Sequence, residues 1–264
     1  EGVADGGEFL RALKAAAAIK PVIVYKGGLS EAGQRAVTSH TASLGGSRII
    51  WEAALRQAGA IQVHSLEEMA QACLAFSLLP RRPYRGITVA GGGGALGVAA
   101  CDMAEAYGLS LPHLEGDIYA SVLACLPKPG SSAANPIDIA NPYVPPKMIK
   151  EALLHAARDP RVDLQIQAPL LYHFKALSAM MGGASFPAIT PYEELAAVAR
   201  EVAEASGKPV AVVLPNPRRR IDDMDVEEVL RKARQSFLAR GVPVFDGLAE
   251  AMRAIRHVAA FAGR

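Results

Sequence analysis

This sequence is poor in cysteine, in aromatic residues and in net charge, and it has no long apolar run. Its three cysteines are far apart in 264 residues, so we expect neither a disulfide framework nor a metal site. The formal net charge is +2 and aromatic residues make up 6%, without the basic, aromatic-studded stripe typical of nucleic-acid binding. No apolar stretch approaches the length of about 20 residues that a membrane helix needs. These absences predict a chain that binds neither nucleic acid nor membrane and works in the reducing cytoplasm.

A methionine start and a signal pattern are missing as well. The first residues, EGVADGGEFLRALKAAAA, predict a turn that leads directly into a helix. We therefore expect the chain to begin partway through a domain, so that its first domain lacks its front.

Short Val/Ile-rich runs alternate with amphipathic segments along the whole chain. PVIVYK, AIQVH, GITVAG and DLQIQA have the length and composition of buried strands, and apolar residues recur at helical spacing between them. This alternation predicts an α/β protein with mainly parallel sheets. The charged, breaker-rich segment Pro80–Pro83 marks the best boundary. We expect two flavodoxin-like domains, residues 1–80 and 81–264, the first truncated at its N-terminus.

Three local features refine this outline. Ser65 followed by Glu68 predicts a capping box at a helix start, and Ser47 is the expected cap of the preceding helix. Residues 174–191 lack clear periodicity and contain glycine and proline. They predict a mobile loop at the carboxyl ends of the strands, where such sheets bind ligands.

A glycine-rich turn follows the strand GITVAG and precedes a helix. Here the backbone could approach a ligand closely, and the helix N-terminus supplies free N–H groups for phosphate or carboxylate. The alternative is a tight turn whose glycines serve packing alone. Dinucleotide binding is less favoured because no acidic residue ends a strand at the required spacing, and no GK[ST] motif for a nucleoside triphosphate occurs. The candidate phosphate-binding residues are Gly91, Gly92, Gly93 and Gly94.

His40 lies in AVTSHTASLGG, among small hydroxyl residues and glycines. So little bulk predicts an open loop, and the histidine could be a general base, a metal ligand, a nucleophile that becomes phosphorylated, or a plain loop residue. Missing metal partners along the chain weaken the second role. We expect the other histidines at the surface or at helix ends, except one after a strand that could line a pocket: His64, His113, His155 and His257, and then His173.

The run KPVIVYKGGLSEAGQRAVTSHTASLGGSRIIWEAALRQAGAIQVHSLEEM resembles the second domain of nucleoside-diphosphate-forming acyl-CoA synthetases, the superfamily of succinyl-CoA synthetase. Later segments, GGGGALG, SSAANPIDI and GVPVFDGLAEAMRAI, resemble the domain that follows it in that family. The resemblance implies that His40 carries a phosphoryl group and that Glu1 orients it. Ala42 stands where the family motif usually has glycine.

The function implied by the resemblance is an acid–thiol ligase: acyl-CoA + NDP + phosphate ⇌ carboxylate + CoA + NTP. Coenzyme A and ATP or ADP with Mg²⁺ are expected in the full enzyme, although no motif in this chain binds them. The expected partners are acyl-CoA or carboxylate, phosphate, and CoA-binding and ATP-grasp domains or subunits in a homo- or hetero-oligomer; alone, the fragment is expected to be inactive. Two alternatives stay open: a non-catalytic acyl-CoA-sensing module of a protein acetyltransferase, against which the retained His40 argues, and a scaffold for partner subunits.

Overall fold

A computed structural model describes residues 2–41, 47–182 and 184–263, with the backbone alone at positions 38, 40 and 41. Strands and helices alternate through most of these residues, as the sequence pattern predicts. The strands are β1 Ile23–Tyr25, β2 Ile61–Val63, β3 Ile87–Gly91, β4 Ile137–Asp138, β5 Leu164–Ala168, β6 Val210–Val213 and β7 Val244–Phe245. The helices are α1 Gly6–Ile19, α2 Glu31–Thr41, α3 Arg48–Ala58, α4 Leu66–Leu78, α5 Gly94–Ala106, α6 Gly116–Ala124, α7 Pro146–Ala156, α8 Phe174–Met181, α9 Phe186–Ile189, α10 Tyr192–Ser206, α11 Met224–Ala239 and α12 Leu248–Ala262.

The strands form two parallel sheets. β1 pairs with β2, and the second sheet has the order β4-β3-β5-β6-β7 with every neighbouring pair parallel. Counted within the second sheet, this is the order 2-1-3-4-5 of flavodoxin-like folds. The expected α/β architecture is confirmed. The division into residues 1–80 and 81–264 stays a prediction, although the strands of the two sheets lie on opposite sides of that boundary.

Helices cover both faces of the second sheet, so its central strands are buried on both sides. β5, LQIQA, is buried at every position. Leu164 and Ile166 share a cluster with residues of α5 and α12, whereas Val210 and Val212 share one with residues of α7, α10 and α11 on the opposite face. Among the described residues, we find no helix that is long and apolar enough to span a bilayer.

Two short helices, α8 and α9, form within residues 174–191, where weak periodicity predicted a mobile loop. Phe174 opens α8, Phe186 opens α9, and both rings are buried in the core. Lys175 fastens α8 to the start of α11, because its ammonium lies 2.9 Å from a carboxylate oxygen of Asp223 and 2.7 Å from one of Asp225. These are contacts between distant segments, which periodicity along one segment cannot report.

The stretch around His40 also differs from the expected open loop. Residues 36–41 are helical, since α2 runs from Glu31 to Thr41. Ser30 begins this helix by accepting the N–H of Gly33 at 3.1 Å. Small residues such as alanine are compatible with a helix, so low side-chain bulk did not distinguish the two possibilities. Residues 42–46, including Ala42, lie outside the described part of the chain.

The capping prediction for α4 is confirmed, with one rearrangement. Ser65 Oγ accepts the N–H of Glu68 at 3.0 Å, but the Glu68 carboxylate accepts the N–H of His64 at 2.8 Å instead of returning to Ser65. The equivalent prediction for Ser47 is wrong: Ser47 occupies the N-cap position of α3, yet its side chain makes no capping hydrogen bond.

A buried ionic contact joins α4 to α12, and so joins the segment that follows the first sheet to the last helix of the second. Glu68 is 5% exposed, and its Oε1 lies 3.1 Å from His257 Nε2 and 3.5 Å from Arg253 Nε. Burial raises the pKa of Glu68, but the His64 N–H, His257 and Arg253 outweigh it and hold that pKa below its usual value. Burial dominates at His257 and lowers its pKa, so we assign a neutral ring whose Nε2–H donates to Glu68.

We expect acidification to lower the free energy of unfolding through His257. Because the pKa of His257 is lower in the folded chain than the ordinary 6.5, the unfolded chain binds more protons between the two values, and stability falls as pH falls from about 6.5. His257→Gln keeps a donor toward Glu68 and removes the titration. Urea unfolding at pH 7 and pH 5 should show a smaller loss of unfolding free energy in this variant than in the unsubstituted protein. The exposed His113 provides the control, since His113→Gln should leave the loss unchanged; an equal loss in all three proteins would contradict the assignment.

Candidate functional site

The turn after β3 is shaped by two backbone carbonyls that leave no space for side chains. A Cβ placed on Gly91 would lie 2.5 Å from the carbonyl oxygen of Ala168, and one on Gly92 would lie 2.7 Å from that of Asn141. Real Cβ atoms do not approach backbone so closely. Two of the four glycines are therefore required by packing, as the simpler sequence interpretation proposed.

The other two glycines serve the entrance to α5. Gly93 is the N-cap of α5 and has φ +109°, a conformation that side chains other than glycine rarely adopt. Gly94 is the first residue of α5 and is exposed. The Gly93 carbonyl accepts the N–H groups of Leu96 and Gly97. The N–H groups of Gly94 and Ala95, in the first turn of α5, make no hydrogen bond within the described structure.

Asp138, at the end of β4, occupies part of the space in front of this helix. One carboxylate oxygen accepts the Gly93 N–H at 3.0 Å and the Ala140 N–H at 2.8 Å. The other oxygen lies 3.5 Å from where a Cβ on Gly94 would be. The Asp138 carboxylate therefore already occupies the Gly93 N–H. An anion at this helix start would have the N–H groups of Gly94 and Ala95 to bind.

A cavity of about 840 Å³ opens beside this turn, across the carboxyl ends of β3, β5, β6 and β7. β3 and β5 lie side by side at the point where the chain order of the sheet reverses, which is where ligands bind in open α/β sheets. The cavity is lined by the β3 turn and α5, by the segments after β5 and β6, and by α11 and the start of α12: Gly92, Gly93, Ala95, Leu96, Leu170, Tyr172, Pro215, Asn216, Pro217, Arg219, Glu227, Asp246 and Glu250.

Three carboxylate side chains line the cavity, those of Glu227, Asp246 and Glu250. Glu227 accepts from Asn216 Nδ2 at 3.0 Å and from Arg231 Nε at 2.8 Å, and the Arg231 hydrogen bond is the main cause of a lowered pKa at Glu227. Asp246 forms an ion pair with Arg234. Glu250 lies in the first turn of α12 and makes neither a hydrogen bond nor an ion pair within the described structure.

The segment after β5 lines the cavity with Leu170 and Tyr172 but leaves His173 outside that lining. The Tyr172 and His173 rings lie 4.4 Å apart. Burial, and then the positive charge of Arg218, lowers the pKa of His173. His173 does not line this cavity, contrary to the expectation that it could be a pocket residue.

The two residues expected to do the chemistry lie at the edge of what the structure describes. His40 is the tenth residue of α2, with only its backbone described, and Glu1 lies outside the described residues. In the same part of the sequence, the buried Lys26 has its ammonium 5.2 Å from the centre of the Trp51 ring and donates to Gly27 O. The roles of His40, Glu1 and the glycine turn remain predictions.

Sequence reasoning found the glycine turn but missed Asp138, Tyr172 and Glu250. Asp138 could have been found, because its NPIDI segment reads as a short strand ending in an acidic residue, as it would at the ligand-binding edge of a parallel sheet. Glu250 gave no such signal, since an acidic residue in a first helical turn is ordinary. Within the described ranges, no cluster of three or more His, Cys, Asp or Glu could hold a metal ion.

Comparison with known proteins gives consistent matches. Residues 1–76 match the model of the succinyl-CoA ligase-like flavodoxin domain family. The alpha subunit of an ADP-forming acetate–CoA ligase II from Pyrococcus furiosus is 31% identical over 248 residues, which are 93% of this chain and 49% of that relative. An ADP-forming acetate–CoA ligase I from Archaeoglobus fulgidus is 37% identical over 139 residues, 53% of this chain and 20% of that protein.

A solved structure agrees with these sequences. The acetyl-coenzyme A synthetase 1 of Ca. Korarchaeum cryptofilum, determined in complex with phosphate and ADP, superposes with a TM-score of 0.78 at 25% identity, covering 100% of this chain and 52% of the other. The chain thus spans about half the length of the Pyrococcus furiosus and Ca. Korarchaeum cryptofilum proteins. The resemblance expected from the motif around His40 is confirmed: residues 1–76 match the succinyl-CoA ligase-like flavodoxin domain, and over 93% of its length the chain is similar to the alpha subunit of an ADP-forming acetate–CoA ligase.

Proposed function

We propose that the full-length protein is an acid–thiol ligase that interconverts acyl-CoA, NDP and phosphate with carboxylate, CoA and NTP. The observation that carries this proposal is the motif from Lys20 to Met69 around His40, in a chain that is similar to ADP-forming acetate–CoA ligases. We place the protein in the cytoplasm, because its substrates occur there and because a reducing environment keeps its cysteines free.

His40 would carry the phosphoryl group between an acyl phosphate and a nucleoside diphosphate. In the first step, a neutral imidazole nitrogen attacks the phosphorus of the acyl phosphate, and the acyl carboxylate leaves. In the second step, a terminal oxygen of the diphosphate attacks the phosphorus on the histidine, and the imidazole leaves. A carboxylate that accepts the other ring N–H fixes the tautomer and stabilises the cation-like phosphorylated ring. We assign that carboxylate to Glu1.

The glycine turn, Gly91 to Gly94, would bind phosphate through backbone rather than side chains. The Gly93 N–H is already held by Asp138, so we assign the main contacts to the N–H groups at the start of α5, those of Gly94 and Ala95. A helix N-terminus favours a doubly charged phosphoryl group. Asp138 opposes it electrostatically, so its charge sets how tightly the anion binds.

Other parts of the enzyme would hold the cofactors. The chain has no GK[ST] motif, and its described residues offer no metal-binding cluster, so the residues present do not fit ATP or ADP with Mg²⁺. We propose that a partner domain or subunit binds the nucleotide and another binds CoA, consistent with a relative that is an alpha subunit. On this account the fragment alone is inactive and the working enzyme is an oligomer.

Phosphorylation of His40 is the direct test of the relay. Incubating the full-length protein and its nucleotide-binding partner with radiolabelled ATP and Mg²⁺ should give an acid-labile, base-stable label on one histidine, since phosphoramidates hydrolyse in acid. His40→Asn should remove the label and His64→Asn should keep it. CoA binding by a folded protein that never takes up label would contradict the relay and favour an acyl-CoA-sensing module, whereas binding of neither CoA nor label would favour a scaffold.

Phosphate affinity tests the role of the glycine turn separately. Asp138→Asn keeps an oxygen for the Gly93 and Ala140 N–H groups and removes a negative charge beside Gly94. We expect the KM for phosphate to fall about threefold to tenfold, because like charges at contact distance cost about 1 kcal/mol or more. Asp102→Asn, an exposed substitution further along α5, should leave that KM unchanged. An unchanged KM in Asp138→Asn would show that phosphate binds elsewhere.

A further inference from the structure

We propose that the core of the second sheet contains an internal water-binding site, formed by the side chains of Thr88, Gln165 and Gln167. All three residues are fully buried. Within the described structure, five of their side-chain polar atoms have no hydrogen-bond partner: Thr88 Oγ1 and both amide atoms of each glutamine. The site lies apart from the cavity described above and does not depend on the ligase function.

The three side chains share one face of the sheet. Thr88 pairs in register with Gln165, and Ala90 with Gln167. Paired positions of neighbouring strands face the same side of a sheet, as do positions two residues apart along one strand. Ile166, between the two glutamines, belongs to the apolar cluster on the opposite face. The unpartnered polar groups are therefore neighbours within a single layer of the core.

Helices α7 and α10 cover this layer. α7 contacts β3, α10 contacts β6, and the two helices contact each other. Because β5 lies between β3 and β6, its two glutamines lie beneath the junction of these helices. Their register partners on β6, Val210 and Val212, belong to the apolar cluster that fills this side. The amides are thus enclosed in an apolar environment.

Such an environment makes an unpaired amide unfavourable. A glutamine amide has two N–H donors and a carbonyl acceptor, and burial without hydrogen bonds costs the hydration that these groups have in the unfolded chain. Native proteins satisfy nearly all buried polar groups with protein atoms or with ordered water. Since no protein atom of the described structure bonds to these five, water is the partner that we infer.

Water fits the chemistry of the site better than an ion does. The hydroxyl and the two amides are neutral, so an ion among them would carry an unbalanced charge into the core. A water molecule both donates and accepts and adds no charge. Buried waters make about three hydrogen bonds each, so about two waters would satisfy the five atoms.

The packing of the covering helices suits small ligands. The apolar cluster includes four fully buried alanines on these helices, whose short side chains occupy little volume: Ala152, Ala156, Ala196 and Ala199. Gln167 directly precedes Ala168, whose carbonyl oxygen packs against Gly91. The water site therefore lies next to the strand end that shapes the glycine turn.

A high-resolution crystal structure of the full-length protein tests the site directly. We expect at least one ordered water within about 3.2 Å of two or more of the five polar atoms. In Gln167→Met, which keeps the length of the side chain and removes its polar atoms, we expect fewer ordered waters there. Direct hydrogen bonds between the two amides, or amides packed against apolar side chains without water density, would overturn the proposal.

Hydrogen exchange of the β5 amides in the full-length protein gives a second test. If water satisfies Gln167, Gln167→Met removes favourable hydrogen bonds, and β5 should exchange about threefold to tenfold faster. If the amide is dry and unpaired, the same substitution relieves its cost, so slower exchange would contradict the proposal. Gln57→Met, on an exposed position of α3, should leave β5 exchange unchanged. Should Gln167→Met fail to fold, the crystal structure of the unsubstituted protein decides alone.

Discussion

The close approach of backbone to backbone after β3 is the constraint on which the rest of the site depends. The carbonyl oxygens of Ala168 and Asn141 occupy the positions where side chains of residues 91 and 92 would lie. Only glycine fits there, and with Gly93 in a conformation of positive φ the chain turns at once into α5. Two backbone N–H groups consequently point outward from the reversal point of the sheet, beside a cavity that neighbouring loops complete.

The structure distributes its charges consistently with this geometry. Asp138 fixes the turn through two N–H groups and limits the positive potential in front of α5. The Lys175 ion pairs hold α8 against the start of α11, so the segment that carries Tyr172 keeps its place on the cavity wall. The Glu68–His257 contact ties α4 to α12. This last contact joins a helix of the segment that follows His40 to a helix that packs on the sheet carrying the cavity.

Most of the fold could be predicted because the information for it is local: strand composition and helical spacing identified the strands of both parallel sheets except the two-residue β4. Predictions failed where tertiary contacts decide the conformation. Residues 174–191 became helices through two buried aromatic rings and an ion-pair cluster, and Ser47 lacks its capping bond. The glycine turn could be predicted, but the division of its glycines between packing and anion binding depends on carbonyls of Ala168 and Asn141 that arrive from distant segments. The residues around His40 left several roles open, and only the resemblance of the motif to a known family indicated that this histidine carries a phosphoryl group.

The central claim is that a phosphoryl group carried by His40 meets the start of α5. The most direct measurement is a crystal structure of the full-length protein phosphorylated at His40. We predict a phosphoryl oxygen within about 3 Å of the backbone nitrogen of Gly94 or Ala95. A phosphohistidine whose oxygens all bind elsewhere, with water or protein groups on both of those N–H groups, would contradict the account.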